Sequence, residues 1–257
     1  MINVVKIGGN VVDNPVALAA FLRDFTSLKG PKILVHGGGK EATRLSTTLG
    51  IETQMIDGRR VTDRQTLDVV TMVYAGLINK RIVAMLQAEG CNAVGLSGAD
   101  GNVIPARRRP ANPVDYGFVG DIDQSAVNDR FIASLLAAGI TPVFCAICHD
   151  DAGTLLNCNA DSVAAAVAQG ASRIDSTRLT YCFEMPGVLA DVDDPASVIE
   201  LVTAESFVTL REQGIVAKGM IPKIENALAC AAAGVAEVII CQAEALTVGG
   251  GTTIRTK

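Results

Sequence analysis

The chain has 257 residues and a mass of 26.7 kDa, enough for one large domain or two small ones. Hydrophobic residues make up 49% of it and charged residues 19%, which excludes an intrinsically disordered protein. With 22 Lys and Arg against 27 Asp and Glu, the net charge is −5, which argues against a general binder of nucleic acids or membrane surfaces. A small anionic ligand remains compatible with this charge, because a few local lysines can bind a phosphate.

Short apolar runs alternate with helical patterns along the chain, which is typical of an α/β protein with a mainly parallel sheet. In chain order the pattern predicts strand 2–7, helix 14–30, strand 33–35, helix 40–49, helix 63–88, strand 92–97, a β-hairpin excursion at 102–122, helix 125–138, strand 140–147, a helix from Asp161, strand 178–183, helix 203–213, helix 220–233, strand 237–241 and strand 252–256. We predict one domain, 1–257, with two lobes and with ligands at the carboxyl ends of the strands.

The cysteines and the N-terminus favour a soluble, cytoplasmic protein. The seven cysteines are an odd number and lie mainly in apolar runs, so we expect free buried thiols in a reducing compartment rather than a disulfide framework. Residues 1–6 do not begin a signal peptide, and no run reaches the about 18 uncharged apolar residues of a membrane span.

Two glycine clusters directly follow predicted strands. Gly8 and Gly9 come after a strand that carries Lys6, and residues 37–39 follow the next strand. Only glycine lets a backbone come this close to an anion, and a strand-to-helix turn presents free N–H groups to it. Tight structural turns are the alternative, less favoured because two clusters occur and one has a lysine beside it. Neither cluster matches a P-loop, a dinucleotide fingerprint or the protein-kinase motifs.

Two polar clusters in the second half are further candidates. Asn157, Asn159 and Asp161 precede an apolar helix, where helix capping alone would also explain Asp161. Lys218 and Lys223 lie at the start of a predicted helix, where positive charge opposes the helix dipole and an anionic ligand would relieve the cost. Ordinary surface lysines are the alternative.

Arg59 and Arg60 form another candidate cluster, since they directly precede the long predicted helix. Arginine binds carboxylates through two parallel hydrogen bonds, whereas the alternative here is a solvated basic turn. Cys145, Cys148 and His149 match the attachment pattern of haem c, but they end a hydrophobic strand in a chain without an export signal. We expect neither haem nor a zinc site there, because the chain has only two histidines and no second ligand pair with suitable spacing.

Five motifs occur in order between residues 6 and 223. They are Lys-x-Gly-Gly at 6–9, His-Gly-Gly-Gly at 36–39, Gly-x-Arg-Val-Thr at 58–62, Asn-x-Asn-Ala-Asp at 157–161 and Gly-Met-x-x-Lys at 219–223. This set resembles the amino acid kinase family. The motifs at 58–62 and 157–161 favour its acetylglutamate kinase branch, which acts in arginine biosynthesis, over the carbamate, uridylate, aspartate and glutamate 5-kinases.

The resemblance implies an open αβα sandwich with a mainly parallel central sheet. An N-terminal lobe, 1–173, would bind the acylated amino acid and form a homodimer, and a C-terminal lobe, 174–257, would bind ATP. Lys6 and Lys223 would stabilise the transferring phosphoryl group, and Asp161 would orient both lysines. The substrate-binding residues that the resemblance implies are Gly38, Gly39, Arg59, Arg60, Asn157 and Asn159. Those for ATP are Gly8, Gly9, Glu184, Gly187, Ile215, Val216, Ala217 and Lys218. Mg²⁺ would arrive with ATP, without a metal site of the protein's own.

The chemistry implied by this resemblance needs little from the side chains. A γ-carboxylate is already ionised at pH 7, so it attacks phosphorus without a general base. The protein must supply alignment and positive charge for a loose transition state. We therefore assign none of the cysteines to catalysis.

The sequence departs from the family pattern at two places. The strand that enters the nucleotide lobe usually ends in Ser/Thr-Asp-Val-x-Gly, but residues 183–187 read Phe-Glu-Met-Pro-Gly, which loses a hydroxyl contact with phosphate. Arg59 stands where relatives commonly carry an apolar residue close to the acyl group. Together with residues 107–109, which are all arginine, Arg59 makes N-succinyl-L-glutamate an alternative to N-acetyl-L-glutamate as the substrate.

Further alternatives concern oligomeric state and activity. The chain begins at its first strand, without the N-terminal helix of the arginine-inhibited hexameric relatives, so we expect a homodimer insensitive to arginine. A non-catalytic sensor of amino acid or nucleotide with the same fold is a second interpretation, supported only by the altered residues 183–186. An unrelated α/β protein with merely structural glycine turns is the third.

Overall fold

The computed structural model describes residues 1–216 and 220–256. The strands there are β1 (Ile2–Ile7), β2 (Lys32–His36), β3 (Met55–Ile56), β4 (Arg59–Arg60), β5 (Ala93–Leu96), β6 (Ala106–Arg108), β7 (Gly120–Ile122), β8 (Thr141–Cys145), β9 (Ile147–His149), β10 (Leu155–Asn157), β11 (Thr177–Phe183), β12 (Leu201–Thr203), β13 (Glu237–Gln242) and β14 (Thr252–Arg255). The α-helices are α1 (Gly9–Val12), α2 (Pro15–Ser27), α3 (Gly39–Thr48), α4 (Arg64–Thr71), α5 (Asn79–Ala88), α6 (Asp129–Ala137), α7 (Ala160–Ser172), α8 (Ala204–Glu212) and α9 (Ile221–Ala232).

Eight of these strands form a central sheet in the order β12-β14-β13-β11-β1-β2-β8-β5. All neighbouring pairs are parallel except β13 and β14, which run antiparallel. Every residue of β1 and of β8 is buried, as expected for strands that helices cover on both faces. The expected α/β fold with a mainly parallel sheet is therefore confirmed.

Helices pack on both faces of this sheet. In β1 and β2, Lys6 and Val35 are partners in register, so their side chains share one face, and His36 points to the other. Lys6 contacts Asp161 of α7, whereas His36 contacts Asn79 of α5. Helices α7 and α5 therefore lie on opposite faces, as an αβα sandwich requires.

The helix predicted at 63–88 is present as one unit, Arg64–Ala88, with an interruption in its middle. Asp63 accepts a hydrogen bond from the Thr66 amide and caps α4. Between α4 and α5, residues Met72–Ile78 form a π-helical turn, a feature that often marks functional sites. The unit is long and apolar enough to cross a membrane, and 44% of its most apolar window is buried inside the protein.

The structure differs from the predicted elements in several places, and it contains the short strands β3, β4 and β10, which were not predicted. Asn128 caps α6, so the predicted helix 125–138 begins later, after a 3₁₀ turn at Gln124–Ala126. The predicted strand 140–147 ends at Cys145, and β9 pairs with β10 outside the central sheet. The short elements α1 and β12 were not predicted, because four and three residues carry too little periodicity. The expected hairpin is confirmed, since β6 and β7 pair antiparallel.

Candidate active site

A cavity of about 260 Å³ opens at the carboxyl ends of β1 and β2. The two strands are parallel neighbours, so both glycine clusters reach the same edge of the sheet. The short hairpin of β3 and β4, the end of β10 and the start of α7 close the cavity from other sides. Nine of the predicted site residues line it, namely Lys6, Gly8, Gly9, Gly38, Gly39, Arg59, Arg60, Asn157 and Asn159.

An ion pair joins Lys6 to Asp161 at the edge of this cavity. Lys6 Nζ lies 2.7 Å from Asp161 Oδ1, and the two side chains are only 9% and 18% exposed. Asn159, not Asp161, caps α7, because Asn159 Oδ1 accepts from the amides of Asp161 and Ser162 at 2.7 and 3.2 Å. The Asp161 carboxylate is thus not used as a cap and faces Lys6, which removes capping as the explanation for Asp161.

Lys223 approaches the same charges from helix α9. Its Nζ lies 3.8 Å from the centre of the Phe183 ring, and Lys6 Nζ lies 4.9 Å from that centre. Burial lowers the pKa of Lys223; the Asp161 carboxylate opposes this effect, and the Lys6 ammonium adds to it. The three residues predicted to be catalytic therefore form one electrostatic group.

Arg60 is a buried cation without a carboxylate partner. It is 8% exposed, and its Nη2 donates to Gly39 O at 2.8 Å and to Thr43 Oγ1 at 2.7 Å. Its Nη1 donates to Thr53 Oγ1 at 3.2 Å. Within residues 1–216 and 220–256, no acidic side chain lies at ion-pair distance from Arg60. A buried positive charge held only by neutral acceptors favours an anion in the cavity it lines.

Asn157 and Arg59 also line this cavity. Asn157 Nδ2 donates to Thr62 Oγ1 at 3.0 Å, a contact that fixes the side chain. Arg59 lies exposed at the cavity wall. Of the neighbouring arginines, Arg108 pairs with Asp115 and Arg109 pairs with Asp121 inside the hairpin, and neither lines the cavity.

A fully buried histidine supports the second glycine cluster. His36 Nδ1 donates to Gly37 O at 2.8 Å, and its Nε2 accepts from Asn79 Nδ2 at 3.1 Å. Asn79 Nδ2 also donates to Val143 O at 2.9 Å. Burial lowers the pKa of His36 to about 4, so the ring is neutral, with its proton on Nδ1 as this pattern requires.

The π-helical turn contacts the same glycine cluster from the side. A Cβ atom on Gly38 would lie 2.9 Å from Tyr74 Cδ1 and would also collide with Ile78, so only glycine fits here. Burial raises the pKa of Tyr74, and the nearby Arg60 partly opposes the rise. Sequence reasoning missed His36, Asn79 and Tyr74 as supports of the site. The only signal was the position of His36 directly before the glycines.

A second cavity of about 420 Å³ adjoins the lysines. Of the residues predicted to bind ATP, Gly8 and Glu184 line it, together with Phe183 and Lys223. Gly187 lies elsewhere, against Thr252, and Val216 is buried in the core. Gly187, Ile215 and Val216 do not line either of the two cavities. The predicted residues Ala217 and Lys218 lie outside the described part of the chain.

The cysteines belong neither to the group of Lys6, Asp161 and Lys223 nor to the hydrogen bonds of Arg60. All seven are free and buried, as expected, and burial raises the pKa of Cys145 to about 12. Cys182 and Cys158 touch the cavities only at their walls. His149 Nε2 lies 2.9 Å from Asn102 Oδ1, so this ring is already hydrogen-bonded.

Comparison with known proteins agrees with this geometry. The model of the amino acid kinase family matches residues 1–242. The chain is 51% identical over 257 residues to the acetylglutamate kinase of Cytophaga hutchinsonii, covering 99% of this chain and 97% of the relative. It is 49% identical over 254 residues to that of Phocaeicola vulgatus, covering 99% and 98%. A crystal structure of a Streptococcus mutans protein superposes with a TM-score of 0.79 at 27% identity, covering 100% and 99%. The chain therefore belongs to the amino acid kinase family.

Proposed function

We propose that this protein is an N-acylglutamate kinase that transfers the γ-phosphoryl group of ATP to the γ-carboxylate of N-acetyl-L-glutamate, the second step of arginine biosynthesis. The observation that carries the proposal is the juxtaposition of Lys6, Asp161 and Lys223 with a cavity whose wall holds the buried guanidinium of Arg60. Relatives near 50% identity over almost the whole chain bear the name acetylglutamate kinase. They support a kinase whose acceptor is a carboxyl group.

The proposed mechanism uses fixed positive charge rather than proton transfer. The attacking γ-carboxylate is ionised at neutral pH, so no side chain has to act as a base. Lys6 and Lys223 neutralise the oxygens of the transferring phosphoryl group, and Asp161 keeps Lys6 in place through its ion pair. The first-turn N–H groups of α1 and α3, at Gly9 and Gly39, add hydrogen-bond donors at the same edge.

We assign acceptor binding to the first cavity. Arg60 would bind the α-carboxylate of the substrate, and Asn157 would bind at the amide end, with the backbone of Gly38 and Gly39 alongside. The volume of this cavity, about 260 Å³, suits a small acylated amino acid. Nucleotide phosphates would enter from the second cavity, past Gly8 and Glu184.

Mg²⁺ belongs to this proposal as a companion of ATP. The described residues hold no group of three or more His, Cys, Asp or Glu side chains arranged as a metal cage. We expect the ion to be bound chiefly by nucleotide phosphates and water, the coordination that Mg²⁺ prefers. When bound, the ion neutralises phosphate charge during transfer.

One observation favours N-succinyl-L-glutamate as a second candidate substrate. Arg59 lies exposed at the wall of the acceptor cavity, where a carboxylate on the acyl group could pair with it. The support from residues 107–109 is weaker than the sequence suggested, because Arg108 and Arg109 have acidic partners of their own. The preference between the two acyl groups therefore depends on Arg59.

We also propose that the protein is a cytoplasmic homodimer. Light scattering of the purified protein would test whether it is a dimer.

The test is to trap the acyl phosphate with hydroxylamine. Purified protein is incubated with ATP·Mg and either N-acetyl- or N-succinyl-L-glutamate, and the hydroxamate is measured by its colour with ferric ion. Hydroxamate formation with either compound establishes γ-carboxyl phosphorylation, and the ratio of kcat/KM values identifies the acyl group. Folded protein that yields no hydroxamate with either would instead favour a non-catalytic sensor.

A further inference from the structure

Phe183 brings the two proposed catalytic lysines onto one aromatic ring. It is the last residue of β11, and both ammonium groups lie within 5 Å of its ring centre, Lys223 at 3.8 Å and Lys6 at 4.9 Å. Tyr181 stacks on Phe183 with ring centres 5.9 Å apart and an interplanar angle of 10°. The ring therefore has a fixed orientation beneath the lysines. This is the first residue of the segment 183–187, in which the chain departs from the family pattern.

The charges around this ring do not balance by ion pairing alone. Two ammonium groups repel each other, and Asp161 is in direct contact with only one of them, Lys6. The charged groups that act on Lys223 are Asp161 from α7, Lys6 from β1 and Glu184, which directly follows β11. Burial and Lys6 disfavour the charged form of Lys223, and Asp161 and Glu184 favour it. Among the described residues, neither carboxylate lies at ion-pair distance from Lys223 Nζ, so a direct contact with negative potential would stabilise its charge.

An aromatic ring meets this need without adding net charge. The face of the ring carries partial negative charge and attracts cations within about 6 Å of its centre. A carboxylate in direct contact with Lys223 would also attract it, but it would repel the phosphates that the lysines must bind. The attraction of a ring is short-ranged, so incoming phosphate oxygens can replace it.

We propose that Phe183 is a positioning residue for phosphoryl transfer, whose ring holds the ammonium groups of Lys6 and Lys223 together at the junction of the two cavities before the substrates bind. The inference rests on the proposed function for its catalytic consequence. The contact itself depends only on the two distances to the ring.

The decisive comparison is between Phe183→Leu and Phe183→Tyr. Leucine keeps an apolar side chain but removes the ring face, whereas tyrosine keeps the ring. We expect kcat to fall about 10-fold in Phe183→Leu, with KM for the acylated glutamate nearly unchanged, and to recover in Phe183→Tyr. The alkaline limb of the kcat/KM–pH profile, which reports the substrate-free enzyme, should move to lower pH in Phe183→Leu, because loss of the ring lowers the pKa of Lys223.

Phe25→Leu is a matched control. Phe25 is fully buried and stacks on Phe21, and its ring centre lies 6.0 Å from Lys32 Nζ, so it combines an aromatic pair with a cation contact away from the site. This variant should lower the melting temperature without moving the alkaline limb. If Phe25→Leu and Phe183→Leu shift the limb equally, the effect is structural and the inference is wrong.

A second measurement separates this inference from the proposed function. The ¹³Cε resonance of Lys223, assigned with Lys223→Arg, is titrated in the substrate-free protein and in Phe183→Leu. A fall in the Lys223 pKa of about half a unit or more supports the ring contact. An unchanged pKa overturns the role of Phe183 and leaves the function intact. Wild-type protein that forms no hydroxamate overturns the function, and with it any catalytic role of Phe183.

Discussion

The cavity that we assign to the acceptor and the cavity that we assign to the nucleotide are built in different ways. Around the acceptor cavity, Arg60 makes three hydrogen bonds to neutral oxygens, and His36 and Asn79 continue the network beneath Gly37. On the nucleotide side, Lys223 is held by a ring face and by the charges around it. Hydrogen bonds fix direction, whereas a ring face and distant charges fix only position. The first cavity is therefore suited to recognising the shape of the acceptor substrate. The second cavity is suited to supplying positive charge to the nucleotide phosphates.

Lys223→Ala should give the largest effect on activity, because it removes a positive charge that stabilises the transferring phosphoryl group. We expect kcat to fall about 1,000-fold while KM for the acylated glutamate changes little. Lys223 is only half-buried, so the melting temperature should stay close to that of the wild type. Hydroxamate kinetics and circular dichroism check the two statements. Normal turnover, or an unfolded variant, would contradict the assignment.

Arg60→Lys tests recognition of the acylated glutamate in the first cavity. Lysine keeps the positive charge but cannot donate to Gly39 O, Thr43 and Thr53 while also binding a carboxylate at two points. We expect KM for the acylated glutamate to rise about 100-fold with a smaller change in kcat. Steady-state kinetics at saturating ATP measures both. A larger loss in kcat than in KM would show that the two cavities do not divide their tasks in this way.

His36 makes the network beneath the acceptor side sensitive to acid. The folded-state pKa of about 4 lies below the ordinary value of 6.5, so the unfolded chain binds the proton more readily. The contribution of His36 is fully present above pH 6.5 and is lost as the pH falls towards 4. The maximum contribution of His36 to the free energy of unfolding is about 3 kcal/mol.

Urea unfolding of the wild type and of His36→Asn between pH 4 and 7 measures this contribution. Asparagine cannot be protonated in this range, so the stability difference between the two proteins should narrow as the pH falls. A constant difference between wild type and His36→Asn would mean that His36 does not titrate on unfolding.

Arg59→Ala should give the smallest effect, and only with one substrate. Arg59 is exposed, so a pair with a substrate carboxylate is worth little, about 3- to 5-fold in KM. We expect this loss with N-succinyl-L-glutamate and no change with N-acetyl-L-glutamate. Parallel KM measurements decide the point. Equal effects on both substrates would remove the reason to consider N-succinyl-L-glutamate, which carries an additional carboxylate on its acyl group.

Residues fixed by local order were predictable, and those fixed by distant contacts were not. Lys6 and the glycine clusters could be placed from sequence because neighbouring parallel strands end at the same edge. His36 and Asn79 are 43 positions apart and meet only across the face of the sheet. Phe183 acquires its role from lysines on β1 and α9, which no local pattern connects to it. Periodicity also failed at Cys145, where an apolar run continues although the strand leaves the sheet.

The central place of β1 affects how the chain folds. Five of its six residues pair with β2 on one side, and all six pair with β11 on the other, so that Ile2 lies opposite Thr177. Contacts between residues so far apart in sequence slow folding, because a long loop must close before they can form. On the ribosome, β1 keeps one edge open until residue 183 has been synthesised and released. Loss of β1 would therefore separate the half of the sheet that contains β11 from the half that contains β2. Loss of the edge strand β12 would remove only the neighbour of β14.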